Sequence, residues 1–205
     1  MTTKLIKDKG ITRLGIGTIM VASLTLAGLL GYASLSHDEI GVIAYAGPEN
    51  NGTLQLRGAV LAKSAPTQDC AGEIIFMVSL ADGAEPVNFT MTGDSNANGL
   101  LSDEVPAPHT TMISYTDANQ RIDDMTWKVD EYGPGNDDTL LEAGETFRIT
   151  VGADQNGHDG LLASALNPKL GAITPFAIEV RTPNGEVFSI ERTTPDSLNP
   201  VMNLK

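Results

Sequence analysis

From Leu14 to Ser36 the chain reads LGIGTIMVASLTLAGLLGYASLS without one charged side chain, and the approach to that run is basic, through Lys4, Lys7, Lys9 and Arg13. As a helix these 23 residues would be roughly 34 Å long at about 1.5 Å rise per residue, enough to cross a hydrocarbon core of roughly 30 Å. The chain therefore divides into an apolar rod and whatever the remaining residues build.

The rod has three readings. As a permanent anchor, its basic flank keeps the N-terminus in the cytoplasm and sends the rest outside. As a secretory signal it is longer than the usual run of about 7–15 apolar residues, and Tyr32-Ala33-Ser34 makes a poor cleavage site. In the third reading a peptidase cuts between Gly10 and Ile11, which removes a charged leader, residues 1–10, and leaves 11–36 as a new apolar N-terminus.

Beyond the rod the chain is acidic and strand-like. Residues 1–13 hold four basic and one acidic residue of the 13 and 26 in the chain, so the remainder carries nine basic against 25 acidic. Such a surface repels nucleic acid and anionic membranes, because binding phosphate needs clustered Lys and Arg. Residues 37–53 read as a neck, with a charged exit at His37-Asp38-Glu39 and a turn at Gly47–Gly52, and 54–205 as one head domain. Leu54–Val60 alternates at period two, with Leu54, Leu56 and Val60 on one face; Ile74–Leu80 is nearly all apolar, as in a strand covered on both faces. Thr110–Thr116, Met125–Val129 (Met125, Trp127 and Val129 inward) and Phe147–Val151 also read as strands. Phe176–Val180 and Phe188–Ile190 flank Pro183-Asn184-Gly185, where Asn-Gly supplies the positive φ of a tight hairpin. The fold class expected is α+β: a long N-terminal hydrophobic helix, then an antiparallel β-sandwich head of immunoglobulin-like type.

Chemistry-bearing residues are few. Asp94, Asn96 and Asn98 with Gly99, followed by Asp103 and Glu104, have the alternating oxygen ligands and sixth-position glycine that open a calcium loop, although the twelfth position is Val105. Asn136-Asp137-Asp138 with Glu142, and Asp154 with Asn156 and Asp159, are second-rank cation sites; all these residue types also make plain surface turns. Calcium is the cofactor weighed, and none is required. Sequons start at Asn51 and Asn88, which makes both candidate glycosylation sites. The lone Cys70 reads as a small buried apolar residue, and Asp123-Asp124 as turn residues facing water. His37, His109 and His158 lie in no ligand spacing and no nucleophile motif occurs, so an enzyme is not expected.

Lys9-Gly10-Ile11-Thr12 and Gly15-Ile16-Gly17-Thr18-Ile19 resemble the cleavage site and core-helix opening of the type IV pilin-like superfamily, and of the archaellins, the archaeal flagellins, in particular. The glutamate that many pilins carry at the fifth mature position is Gly15 here, which favours archaellin over pilin. Leu141–Phe147, Phe176–Val180, Ile190–Pro195 and Val201–Leu204 are similar to archaellin head elements in archaellin order. The resemblance implies a structural subunit of a swimming filament, a self-polymer whose core is formed by Leu14, Ile16, Ile19, Met20, Val21, Leu24, Leu26, Leu29 and Leu30. It implies a prepilin-type peptidase and the membrane as partners before assembly, and an extracellular filament after it. Burying about a dozen large apolar side chains at roughly 1.5–3 kcal/mol each would favour that core by an amount on the order of 20–35 kcal/mol before ordering and association are subtracted. An adhesive pilin, or a tethered extracellular binding module, is the alternative on the same architecture.

Overall fold

The computed structural model describes residues 52–66, 69–90, 93–104 and 110–204. The leader, its junction at Gly10 and Ile11, the rod with its nine core residues, most of the neck and the Asn51 sequon lie outside the described residues. Among those described, no helix is long and apolar enough to cross a membrane.

Where the sequence alternates, strands form. They are β1 (Leu54–Ser64), β2 (Ala71–Leu80), β3 (Val87–Asn88), β4 (Met112–Asp117), β5 (Arg121–Ile122), β6 (Trp127–Glu131), β7 (Leu140–Leu141), β8 (Phe147–Val151), β9 (Pro175–Arg181), β10 (Val187–Thr193) and β11 (Val201–Leu204). One four-residue helix, α1 (Leu162–Ala165), precedes β9. Every pairing is antiparallel. A five-stranded sheet runs β11-β1-β2-β8-β6, a four-stranded sheet β10-β9-β4-β5, and β3 pairs with β7.

Both sheets turn one face to a single apolar cluster, to which Ile74, Phe76 and Ile149 come from the first sheet and Ile113, Ile178 and Ile190 from the second. Phe89, just after β3, sits edge-on to Trp127 (centroids 5.9 Å apart) and to Phe147 (5.8 Å). Each such pair adds about 0.5–1.5 kcal/mol beyond area burial. As its composition suggests, β2 is buried along most of its length on both faces, while Val129 and Leu56 are only half-buried.

Two local findings refine the sequence reading. In β1 the register with β2 shifts between Arg57 and Leu61, where Gly58 takes φ +73. Residues 58–60 face Phe76 alone, so two extra residues are inserted. An even insertion keeps parity, which is why Leu54 and Val60 both still reach the core. In the β9–β10 hairpin only Gly185 has positive φ, and its N–H bonds Thr182 O at 2.9 Å. Pro183 locks φ negative at the first central position, so Pro183-Asn184 form a type I turn closed by a left-handed glycine, in place of a two-residue turn with two positive φ angles.

Candidate functional site

The residues of the 94–104 loop do come together, as a hydrogen-bonded knot. Asp94 is fully buried; its Oδ2 accepts the Gly99 N–H at 2.7 Å and the Thr126 hydroxyl at 3.1 Å, and its Oδ1 accepts the Asn98 N–H at 3.3 Å. Asn96 and Asn98 both donate their side-chain amides to Asp103 Oδ2, at 3.0 and 2.9 Å. Those two amides, Asn96 foremost, hold the Asp103 carboxyl below its ordinary range. Glu104 Oε1 accepts the N–H and hydroxyl of Ser95 at 2.7 and 2.9 Å. The donor set is oxygen-rich, as a hard cation prefers. Among the described residues, however, no three His, Cys, Asp or Glu side chains converge as a metal group would require.

This knot is packed onto a second loop through glycines. Asn156 donates its amide to Asp94 O at 3.5 Å, and a Cβ on Gly93 would stand 2.7 Å from that same amide. A Cβ on Gly99 would meet Leu161 O at 2.5 Å, and one on Gly152 would meet Gly72 O at 2.5 Å. Backbone therefore approaches backbone where any side chain would collide. Within the second loop, Asp154 Oδ1 accepts the N–H groups of Asn156 and His158, both at 2.9 Å, and Oδ2 meets His158 Nδ1 at 2.9 Å. Burial pushes Asp154 up, but its hydrogen bonds, those from His158 first, outweigh this and leave the carboxyl below its ordinary value. Asp159 is exposed and joins none of these bonds. In the 136–142 loop, Asn136 donates to Glu142 at 3.1 Å, and Asp137 and Asp138 serve turn geometry.

Asp124 corrects an expectation. Asp123 faces water, but Asp124 is buried at φ +58, with its carbonyl accepting the Leu101 N–H at 2.9 Å. The Leu100–Met125 bridge pulls this turn inward, a long-range effect no local pattern signals. Cys70 is buried beside Ala65 and Ala163, as its type suggests. Asn88 is exposed and its Oδ1 accepts the Thr90 N–H at 2.7 Å, so the sequon presents its acceptor outward while Phe89 anchors it in the core.

Where the chain first enters the head, the β9–β10 tip holds it. Glu186 Oε2 accepts the Thr53 N–H at 2.8 Å and also the Thr53 hydroxyl, across 133 residues. Those bonds, the hydroxyl's first, keep the Glu186 carboxyl below its ordinary range.

No family model matches the chain. A curated relative, probable flagellin 1 of Archaeoglobus fulgidus, is 26% identical over 209 residues, covering 96% of this chain and 95% of its own. Over nearly its whole length the chain is therefore similar to an archaeal flagellin. In three dimensions it is similar to the crystal structure of an archaeal flagellin from Methanocaldococcus jannaschii, with a TM-score of 0.52, 10% identity, and coverage of 74% and 95% of the two chains. That likeness is one of fold. The archaeal flagellum of Methanospirillum hungatei overlays with a TM-score of 0.44 at 15% identity, over 95% and 99% of the chains. The β-rich head therefore shares the fold of the Methanocaldococcus jannaschii flagellin.

Proposed function

We propose that this chain is the structural, non-enzymatic subunit of an archaeal swimming filament, polymerised through its N-terminal helix. The observation that carries the reading is the similarity to a probable flagellin over 96% of the chain, a span too long to leave out the 23-residue uncharged run. In this reading the leader 1–10 is cut between Gly10 and Ile11 by a prepilin-type peptidase. Before assembly the 11–36 helix sits in the membrane, where its backbone is bonded internally and lipid covers its side chains. Once withdrawn, it finds an equivalent apolar environment only among other copies, and a heterologous contact that does not close propagates as a helix of subunits. The immunoglobulin-like sandwich head is carried on the outside of the extracellular filament.

Two further assignments belong to this reading. A hard cation such as calcium goes to the 94–104 loop, supported by its oxygen-bearing side chains at alternating positions; the Asn96 and Asn98 amides, which now donate to Asp103, would turn their oxygens toward the ion. A glycan goes to Asn88, supported by its exposure. Calcium titrated into chelator-stripped full-length protein should release heat and raise the melting temperature; no response removes the cation.

Electron microscopy of sheared cell appendages, with N-terminal sequencing of their subunit, tests the whole. Filaments whose subunit begins at Ile11 are expected. A detergent-extracted monomer still beginning at Met1 or Thr2 would leave only the tethered module. Loss of surface attachment with swimming intact in a deletion strain would favour an adhesive pilin.

A further inference from the structure

Among the described residues, four non-glycine positions take positive φ: Ala97, Asp124, Asp137 and Ile173. A small residue and two aspartates tolerate that region; a β-branched side chain there is an outlier. Ile173, at φ +51, is also the most exposed large apolar residue described, at 68%. The turn that holds it is strongly built. Ile173 N–H bonds Pro195 O at 3.1 Å, and the Thr194 hydroxyl donates to Gly171 O at 2.6 Å while accepting the Thr174 N–H at 2.8 Å. The head thus fixes a strained backbone in order to show an isoleucine to water. Glycine or asparagine would relieve both penalties at once, and strain of this kind collects where a surface has a task.

Charge says what the task is. Between Asp159 and Glu179 the single charged residue is Lys169, in a head, 54–205, that holds 22 acidic and nine basic residues in all. Thr193-Thr194-Pro195, which backs the turn, is uncharged as well. Two copies of so acidic a head repel each other over most of their surfaces, so contact is cheapest where acid is missing. Exposed Ala172, Ile173 and Pro175 supply apolar area there, and exposed Lys169 supplies attraction toward an acidic neighbour.

We propose that the Ile173 turn is a head-to-head contact in which Ile173 is the apolar knob and Lys169 the charge-matched rim, the occupant being a second copy of this chain. The inference rests on the filament reading, which it deepens. It is tested in a strain whose subunit carries Ile173→Gly, with Ile173→Asn and Lys169→Glu beside it. Sheared filaments are heated or diluted and the pelleting fraction is measured, while near-ultraviolet circular dichroism follows melting of the detergent-solubilised full-length chain. Both Ile173 variants should need roughly tenfold or more higher subunit concentration to stay polymeric, the factor expected when one large apolar side chain loses its burial. Their heads should melt no earlier than wild type. Lys169→Glu filaments should fall apart as salt is lowered. Variant filaments as durable as wild type would overturn the knob, and so would an earlier-melting Ile173→Gly head, because the isoleucine would then serve its own fold. If the wild-type strain itself yields no filament, the failure belongs to the filament reading instead.

Discussion

The β9–β10 hairpin has two ends, and they are built on opposite logic. At the tip, the position that needs positive φ is occupied by Gly185, and polar bonds from Thr53 to Glu186 pin the turn to the start of β1. At the base, roughly 30 Å away at about 3.3 Å per residue, the same backbone region is forced on Ile173 and the side chain is left in solvent. The tip follows the rules of turn chemistry and serves the fold. The base breaks them while being held by Thr194 and Pro195 as firmly as the tip, which indicates that its exposed residue serves something outside the fold.

That contrast can be attacked from several sides. Ile178 lies at the middle of β9 with no exposure, so Ile178→Ala should destabilise both ends together by about 2–5 kcal/mol, seen as one cooperative shift in the urea midpoint. Thr194→Val strips the base of its clamp and leaves the Gly171 carbonyl and the Thr174 N–H without that partner; a loss of about 1–3 kcal/mol is expected, with amide exchange rising at Ile173 and Thr174 and not at the tip. Gly185→Val copies the base onto the tip by placing a β-branched residue at φ +89, and should lower stability by about 1–2 kcal/mol, whereas Ile173→Gly should lower it not at all. Equal losses in those two variants would erase the distinction between the ends.

The smallest effect concerns acid. The Glu186 carboxyl is held below its ordinary value of about 4.3, so the tip's contribution is complete above that pH and fades as pH falls through the lower folded value. Glu186→Gln should therefore flatten the acid limb of stability against pH without altering the neutral plateau of its slope. Asp154, also depressed, has the same sign and stays in both proteins, so the difference curve isolates Glu186.

Much of this molecule was readable beforehand. The period-two runs at Leu54–Val60, Phe147–Val151 and Phe176–Val180 became β1, β8 and β9 because alternation is a local consequence of the pleat. The two-residue strands β3, β5 and β7 were not readable, since two residues carry no period, and Val201–Leu204 gave no sign that it pairs with Val60–Lys63. The 94–104 residues are legible as a set, and their closure on Asp103 is local, but the support from Asn156 depends on a neighbour 62 residues away. Ile173 is not legible in the sequence, because its positive φ depends on the turn that Thr194 and Pro195 hold.

Composition and short-range pattern were enough to separate an uncharged apolar run from an acidic β-rich remainder, because hydropathy and pleat alternation act between residues close in sequence. Which strands neighbour one another, which aspartate of Asp123-Asp124 is buried, and which apolar residue is held out in solvent were decided by packing. Those outcomes depend on contacts between residues far apart in the chain, such as Thr53 with Glu186, that arise only when the two sheets close over one core.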